Sequence, residues 1–315
     1  MLTLFDGEHI YFGQRNQRAV DVEITFPDAE LGYESITLNL ALRCPNGTLC
    51  DWWDRHGHLG IVNRPGSDEE SLVEIARFIT PYRVEAAWTL DVTSLRPLLA
   101  GTQTVRVFID TWVGPGHANG EGWLVDASLD MVGGIPDPLP IAVVPVWNET
   151  TYETGNPGNP IAAQVPDVTV EIPAEATRAE LRTLITGHGQ GNAENCAEFC
   201  PKVHGFQVGT QDWQRTVWRD DCAENPVQPQ AGTWQYPRAG WCPGADVIPW
   251  VEDVTEAIEA GTSVTLRYAT EPYENTCRPD ASPCSGCTLG TGCDYDGGNH
   301  TMPVYKMSAA IIVYR

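Results

Sequence analysis

Lysine is nearly absent from this 315-residue chain. Only Lys202 and Lys306 occur among 19 basic residues, against 42 acidic ones, for a formal net charge of −23. Like charge over the whole surface excludes nucleic acid and an anionic membrane face as partners. No apolar run reaches the roughly 20 residues that a membrane-spanning helix needs, so no membrane partner is expected. The first ten residues, Met1 to Ile10, carry Asp6 and Glu8 and show no basic segment followed by an apolar one. No secretory leader is therefore expected in them. Helical periodicity is scarce as well. Only the stretch from Val254 to Ala260 shows it, which excludes a helical bundle.

What is abundant is short alternation punctuated by turn residues. Hydrophobic residues make up 42% of the chain, enough for a packed core, and 30 Gly and 24 Pro break it up. Runs at Val20–Phe26, Ser35–Leu42, Leu72–Phe78, Trp88–Val92, Val105–Ile109 and Trp123–Met131 read as strands. So do Val168–Ile172, Glu180–Ile185, Phe206–Val208, Val264–Tyr268 and Ala309–Tyr314. The pattern predicts an antiparallel all-β protein of the sandwich or jelly-roll kind. Pro136, Pro138 and Pro140 fall within five residues, which a central strand does not tolerate. The expected organisation is a domain over 1–136, a linker over 137–140 and a second domain over 141–315. A motif echoes across that linker. Asp91-Val92-Thr93, a short turn, Gly101-Thr102 and a strand from Val105 return as Asp253-Val254-Thr255, a turn, Gly261-Thr262 and a strand from Val264. Two related sandwiches packed side by side are expected, with ligand binding in the cleft between them.

The ten cysteines fall in local groups: Cys44 with Cys50, Cys196 with Cys200, Cys222 with Cys242, and Cys277, Cys284, Cys287 and Cys293. An even count in short loops suggests disulfides and an oxidising compartment, hence a secreted or periplasmic protein in its mature form. The spacing Cys284-x-x-Cys287 also fits a zinc knuckle, but the flanking gaps are wider than zinc sites use and the loop is studded with Asp.

One stretch concentrates chemistry. Cys50-Asp51-Trp52-Trp53-Asp54-Arg55-His56-Gly57 packs two acids, two indoles, a guanidinium and an imidazole into eight residues. Rings give a polar ligand an apolar platform and charges orient it. The same residues also fit a half-exposed edge strand. Three acids stand out: Asp54 in this loop, Asp110 in Ile109-Asp110-Thr111-Trp112, and Glu198 between Cys196 and Cys200, where a disulfide ring would fix its direction. His56-x-His58 has a copper or zinc spacing, and His188 and His204 flank the Glu198 loop, but no third ligand is evident. Arg238 and Trp241 repeat the pairing of cation and indole beside a cysteine.

Six segments, in order, resemble the peptide-N-glycosidase F family: Cys50-Asp51-Trp52-Trp53-Asp54-Arg55, Arg77-Phe78-Ile79-Thr80-Pro81-Tyr82, Asp110-Thr111-Trp112, Val143-Val144-Pro145-Val146, Cys196-Ala197-Glu198-Phe199-Cys200 and Arg238-Ala239-Gly240-Trp241-Cys242-Pro243-Gly244. The resemblance implies two antiparallel eight-stranded jelly-roll sandwiches packed side by side. It also implies a secreted bacterial amidase that cuts between the innermost N-acetylglucosamine and asparagine of N-glycoproteins. It implies the pairings Cys44–Cys50, Cys196–Cys200 and Cys222–Cys242. Asp54 would be the essential carboxylate and Glu198 the second acid. Trp53, Arg55, Trp112, Arg238 and Trp241 would line the chitobiose site. Asp110 stands where the family has glutamate, one methylene shorter, and Phe199 replaces a tryptophan. The loop 277–293 has no family counterpart.

The expected mechanism is hydrolysis with no metal and no other cofactor. Water activated by a carboxylate network around Asp54 attacks the asparagine carbonyl, while Glu198 and Arg238 stabilise charge or deliver a proton. A monomer is expected, acting on N-glycoprotein or glycopeptide. Two alternatives stay open: a non-catalytic N-glycan-binding module, motivated by the shortened Asp110, and a copper-binding monooxygenase-like protein, motivated by the histidines.

Overall fold

The computed structural model describes residues 1–189, 197–274 and 303–315. The first half contains β1 (Leu2–Phe12), β2 (Asn16–Gln17), β3 (Ala19–Phe26), β4 (Tyr33–Arg43), β5 (His56–Asn63), β6 (Ser71–Ile79), β7 (Ala86–Asp91), β8 (Gly101–Ile109) and β9 (Trp123–Gly133). The second contains β10 (Pro140–Glu153), β11 (Val168–Glu171), β12 (Arg178–His188), β13 (Lys202–Val208), β14 (Gln211–Val217), β15 (Trp250–Asp253), β16 (Ser263–Thr270) and β17 (Val304–Tyr314). All pairing between these strands is antiparallel.

The sheets run β2-β1-β9-β4-β7 and β3-β8-β5-β6 in the first half, and β10-β17-β12-β15 and β11-β16-β13-β14 in the second. With the two-residue β2 set aside, both halves carry the same order of first, eighth, third and sixth strand facing second, seventh, fourth and fifth. That is a jelly roll built twice. Alternation makes each core. In β4 the side chains of Ile36, Leu38, Leu40 and Leu42 point inward, and in β9 those of Trp123, Val125, Ala127 and Leu129 do.

The echoed motif has a single structural meaning. In both copies the Asp carboxylate accepts the N–H of the Thr two residues on (Asp91 2.9 Å, Asp253 3.0 Å). In both, the Thr hydroxyl accepts a backbone N–H of the neighbouring strand, from Ile36 at 2.8 Å and from Ala179 at 3.0 Å. Between them a buried valine, Val92 or Val254, donates its N–H to the carbonyl of that same residue, 2.9 Å in each case. The motif is the corner where the chain leaves one sheet and crosses to the other. The periodicity from Val254 yields only a single 3-10 turn, Thr255–Ala257.

Six strands were not expected: β1, the two-residue β2, β5, β10, β14 and β15. β10 carries Pro145 in its interior, which is possible because β10 lies at a sheet edge and slips register beside that proline. It also starts at Pro140, one residue inside the expected linker. Among the described residues no helix is long and apolar enough to cross a membrane.

β6 joins the halves. It is an edge strand of its own sheet, yet Leu72 to Ile79 are all buried. The second half covers it: Ile79 and Arg77 exchange backbone hydrogen bonds with Gly244, Ala245 and Val247 at 2.8–3.3 Å. The fully buried Arg77 holds Glu74 with two N–H groups (2.9 and 2.8 Å). It reaches across to the Lys306 carbonyl at 2.7 Å and the Thr186 hydroxyl at 3.2 Å. The disulfides Cys44–Cys50 and Cys222–Cys242 are formed. Cys196, expected to pair with Cys200, and the four cysteines of the 277–293 loop lie outside the described residues.

Candidate active site

The Asp54 loop is fixed from below. The Cys44–Cys50 disulfide closes its entry. Asp51, buried, accepts hydrogen bonds from Arg55 Nε (2.8 Å), Thr111 Oγ1 (2.7 Å) and the Trp53 N–H (3.0 Å). Thr80 then brackets Asp54. Its Oγ1 accepts the Arg55 N–H at 2.8 Å and donates to the Trp53 carbonyl at 3.2 Å, and its N–H donates to the Arg55 carbonyl at 2.9 Å. Gly120, at φ +105, lets the Trp112–Gly122 segment close over the Cys50 carbonyl, where a Cβ would come within 2.2 Å. The loop is thus a braced platform rather than a hinge.

From the second sandwich comes Arg238, whose side chain is fully buried. Its strand-like neighbourhood is tied to Arg219 by two backbone bonds (2.8 and 3.0 Å) and to the Cys222–Cys242 disulfide. The next-but-one residue, Gly240 at φ +81, passes so close to the Ile185 carbonyl that a Cβ would sit 2.3 Å from it. The guanidinium is consequently immobile. It donates to Glu198 Oε1 from Nε (3.2 Å), to the Tyr236 carbonyl (2.8 Å) and to Thr233 Oγ1 (3.0 Å), and its Nη2 lies 3.9 Å from Asp54 Oδ2. Asp54 and Glu198, contributed by different halves of the chain, therefore share one cation. Tyr82 completes the group: its hydroxyl is hydrogen-bonded to Thr233 Oγ1 (3.3 Å), accepts from Arg238 Nη2 (3.5 Å) and favours the ionised form of Asp54.

Both acids face a cleft of about 420 Å³ between the sandwiches, walled by Trp53, Arg55, His56, Tyr82 and Asp110 on one side and His188, Phe199, Trp241 and Lys306 on the other. Burial raises both carboxyls. Glu198 moves from 4.5 to about 7, driven first by desolvation and then by the charge of Asp54, with Arg238 opposing. Asp54 is raised by desolvation, opposed by Arg238 and the Tyr82 hydroxyl. The two titrate as a set. Burial lowers Lys306 from the ordinary lysine value, with Asp110 opposing. It also holds His56 and His188 well below the ordinary imidazole value and His58 at about 4, so all three rings are uncharged near neutral pH.

The other expected site residues divide. Asp110 lines the cleft, but its carboxylate is held by Arg18 at 2.9 Å. Arg55 lines it while paired with Asp51. Trp53 is 59% exposed at its edge, with Tyr82 packed edge-on at 6.1 Å. Trp112 is 52% exposed, stacks with the Arg18 guanidinium at 4.4 Å, and does not contribute to the cleft wall. Trp241 is buried: it donates to the Gly187 carbonyl at 2.7 Å and stacks on His188, so only part of its ring reaches the cleft. Arg238 is likewise an interior anchor for the acids. Sequence reasoning missed Tyr82, Thr80 and Lys306 as parts of the site. Lys306 had a signal, since it is one of two lysines and interrupts an apolar strand.

Fold and site together define a double jelly-roll protein with a pair of raised-pKa carboxyls around one buried arginine, in a cleft between its sandwiches. Comparison with known proteins gives the particular family. The family description "Peptide-N-glycosidase F, N terminal" matches residues 58–131, and "Peptide-N-glycosidase F, C terminal" matches residues 159–285. The chain is 30% identical over 288 residues to the peptide-N(4)-(N-acetyl-beta-D-glucosaminyl)asparagine amidase F of Elizabethkingia miricola, covering 87% of this chain and 78% of the relative. Among solved structures it is similar to a recombinant peptide:N-glycanase F (TM-score 0.79, 25% identity, 99% of this chain and 94% of that one). It is also similar to PNGase F, a glycosylasparaginase from Flavobacterium meningosepticum (TM-score 0.78, 26% identity, 99% and 94%). The chain belongs to the peptide-N-glycosidase F family.

Proposed function

We propose that this protein is an amidase that hydrolyses the bond between the innermost N-acetylglucosamine and the asparagine side chain of N-glycoproteins or glycopeptides, leaving aspartate. The observation that carries the reading is the convergence of Asp54 and Glu198 from separate sandwiches on Arg238, at the floor of a cleft of sugar size. Asp54 is the general base: Arg238 and the Tyr82 hydroxyl favour its ionised form, so it takes a proton from the attacking water. Glu198, at about 7, is substantially protonated near neutral pH and delivers its proton to the departing glycosylamine nitrogen. Water's oxygen bonds to the side-chain carbonyl carbon, the C–N bond breaks, and the glycosylamine then hydrolyses to sugar and ammonia. Arg238 holds both acids at fixed separation throughout, and its positive charge stabilises the negative charge they carry. Trp53 and Trp112 offer exposed indole faces to the saccharide. The disulfides support action in an oxidising compartment outside the cytoplasm. Incubation with a denatured N-glycoprotein tests the reading. An electrophoretic shift with release of free glycan is expected; retention of glycan binding without release would make the protein a binding module instead.

A further inference from the structure

Behind the cleft wall lies a second polar cluster that the proposed chemistry does not use. His56 and His58 stand on β5, and none of their four ring nitrogens, all buried, has a hydrogen-bond partner. The His58 side chain is 3% exposed. A buried imidazole without partners costs on the order of 1–3 kcal/mol, and folded chains keep such groups where an ion or water supplies the missing contact. Here the neighbours are metal-ligating types. One ligand atom from each of His56, His58 and Glu74 lies within 4.8 Å of the others. Glu149, from the second sandwich, places Oε1 3.3 Å from His58 Nε2 without making a hydrogen bond to it. Two ligands of one tetrahedral ion, each about 2.0 Å from it, are separated by roughly that distance. Glu149 reaches this place through a left-handed backbone (φ +44) on β10, and Ser308 pins it by accepting its N–H at 3.0 Å while donating to Glu74 at 3.0 Å.

We propose that His56, His58, Glu74 and Glu149 form a binding site for one divalent cation of the zinc class, clamping the two sandwiches together behind the cleft. Two imidazoles and two carboxylates are the donor set that borderline divalent ions take, rather than the all-oxygen set of magnesium or calcium. Arg77, Lys306 and Arg106 are the cations facing the cluster and Glu74 and Glu149 the anions. Arg77 is paired with Glu74, and Arg106 with Asp21 and Glu70. Arg77 and Ser308 together fill the lone pairs of Glu74 Oε1, while Oε2 accepts only from Arg77 and keeps one free. The spacing His56-x-His58 lacked further ligands in the sequence because Glu74 arrives from the neighbouring strand and Glu149 from the other half of the chain. The site does not rest on the amidase reading, and its test reads metal, not turnover.

The test uses the full chain, stripped with chelator and titrated with Co²⁺ and with Zn²⁺. Uptake of about one equivalent, visible d–d bands for Co²⁺ and a rise in melting temperature are expected. His58→Gln should abolish uptake, and Glu149→Gln should weaken it at least ~10-fold. X-ray absorption at the zinc edge of the wild type, which needs no variant to fold, should show imidazole and oxygen ligands. Absence of stoichiometric uptake by folded wild type, uptake undiminished in His58→Gln, or sulfur ligands marking the cysteine-rich loop would each overturn the proposal.

Discussion

Glu198→Gln gives the account a quantitative test in stability as well as in turnover. In the folded chain the Glu198 carboxyl titrates at about 7 rather than 4.5. That difference corresponds to roughly 3 kcal/mol of preference for the neutral form, at ~1.4 kcal/mol per tenfold change. The unfolded chain lacks the preference. The contribution of Glu198 to stability is therefore complete below about pH 4.5, declines as pH rises, and is gone above about pH 7. Glutamine is neutral throughout, and its carbonyl can still accept the Arg238 Nε–H bond that Glu198 accepts at 3.2 Å. The variant should match the wild type near pH 4 and exceed it by about 2–3 kcal/mol near pH 8, while glycan release is lost. Urea unfolding of both proteins at the two pH values measures this. A stability difference that stays constant or shrinks as pH rises would refute the assignment of Glu198 as a desolvated, raised-pKa acid.

Asp54→Asn should reduce glycan release by on the order of 10³-fold or more while keeping the circular dichroism spectrum, and near-normal turnover would remove Asp54 from its role. The pH profile of release should be bell-shaped, with its alkaline limb near 7 from Glu198 and its acid limb above the ordinary aspartate value from Asp54; an alkaline limb unchanged in Asp54→Asn would contradict the coupling between them. Asp110→Glu should raise or broaden activity in a panel of glycopeptides, because the longer carboxylate reaches further into the cleft than one retracted onto Arg18; a loss would mean that the backbone already compensates. Arg77→Ala should cost about 3–5 kcal/mol in denaturant unfolding by leaving Glu74 buried without its partner, and a loss below about 1 kcal/mol would show that Arg77 does not pin the halves together.

Sheet architecture was legible where alternation was clean, as in β4 and β9, where every second side chain enters a core. The corner motif at Asp91 and Asp253 was legible because its turn is made by local Asp and Thr side chains, so the same letters recur. β5 was hidden because its sequence, His56-Gly57-His58-Leu59-Gly60, serves the contact between sandwiches rather than an alternating face. β10 was hidden by Pro145, whose tolerance depends on the strand's edge position. The acids of the site were found by their company: Asp54 among indoles, Glu198 among cysteines. What no spacing could show was distance across the chain. Arg238 was expected to line the sugar site beside Trp241, but the fold buries it as the shared partner of two carboxyls. Tyr82 acquires a role only because the Asp54 loop turns onto it, and Glu149 meets His58 only once the second sandwich docks on β6.

The most direct test of the central claim is the mass of one defined N-glycopeptide after incubation in heavy-oxygen water. Attack on the side-chain carbonyl predicts a peptide in which asparagine has become aspartate carrying one heavy oxygen atom, a gain of about three daltons in place of about one in ordinary water, with the complete glycan released. A peptide that keeps its asparagine, or that retains an N-acetylglucosamine, would contradict amide hydrolysis at the Asp54–Glu198 cleft.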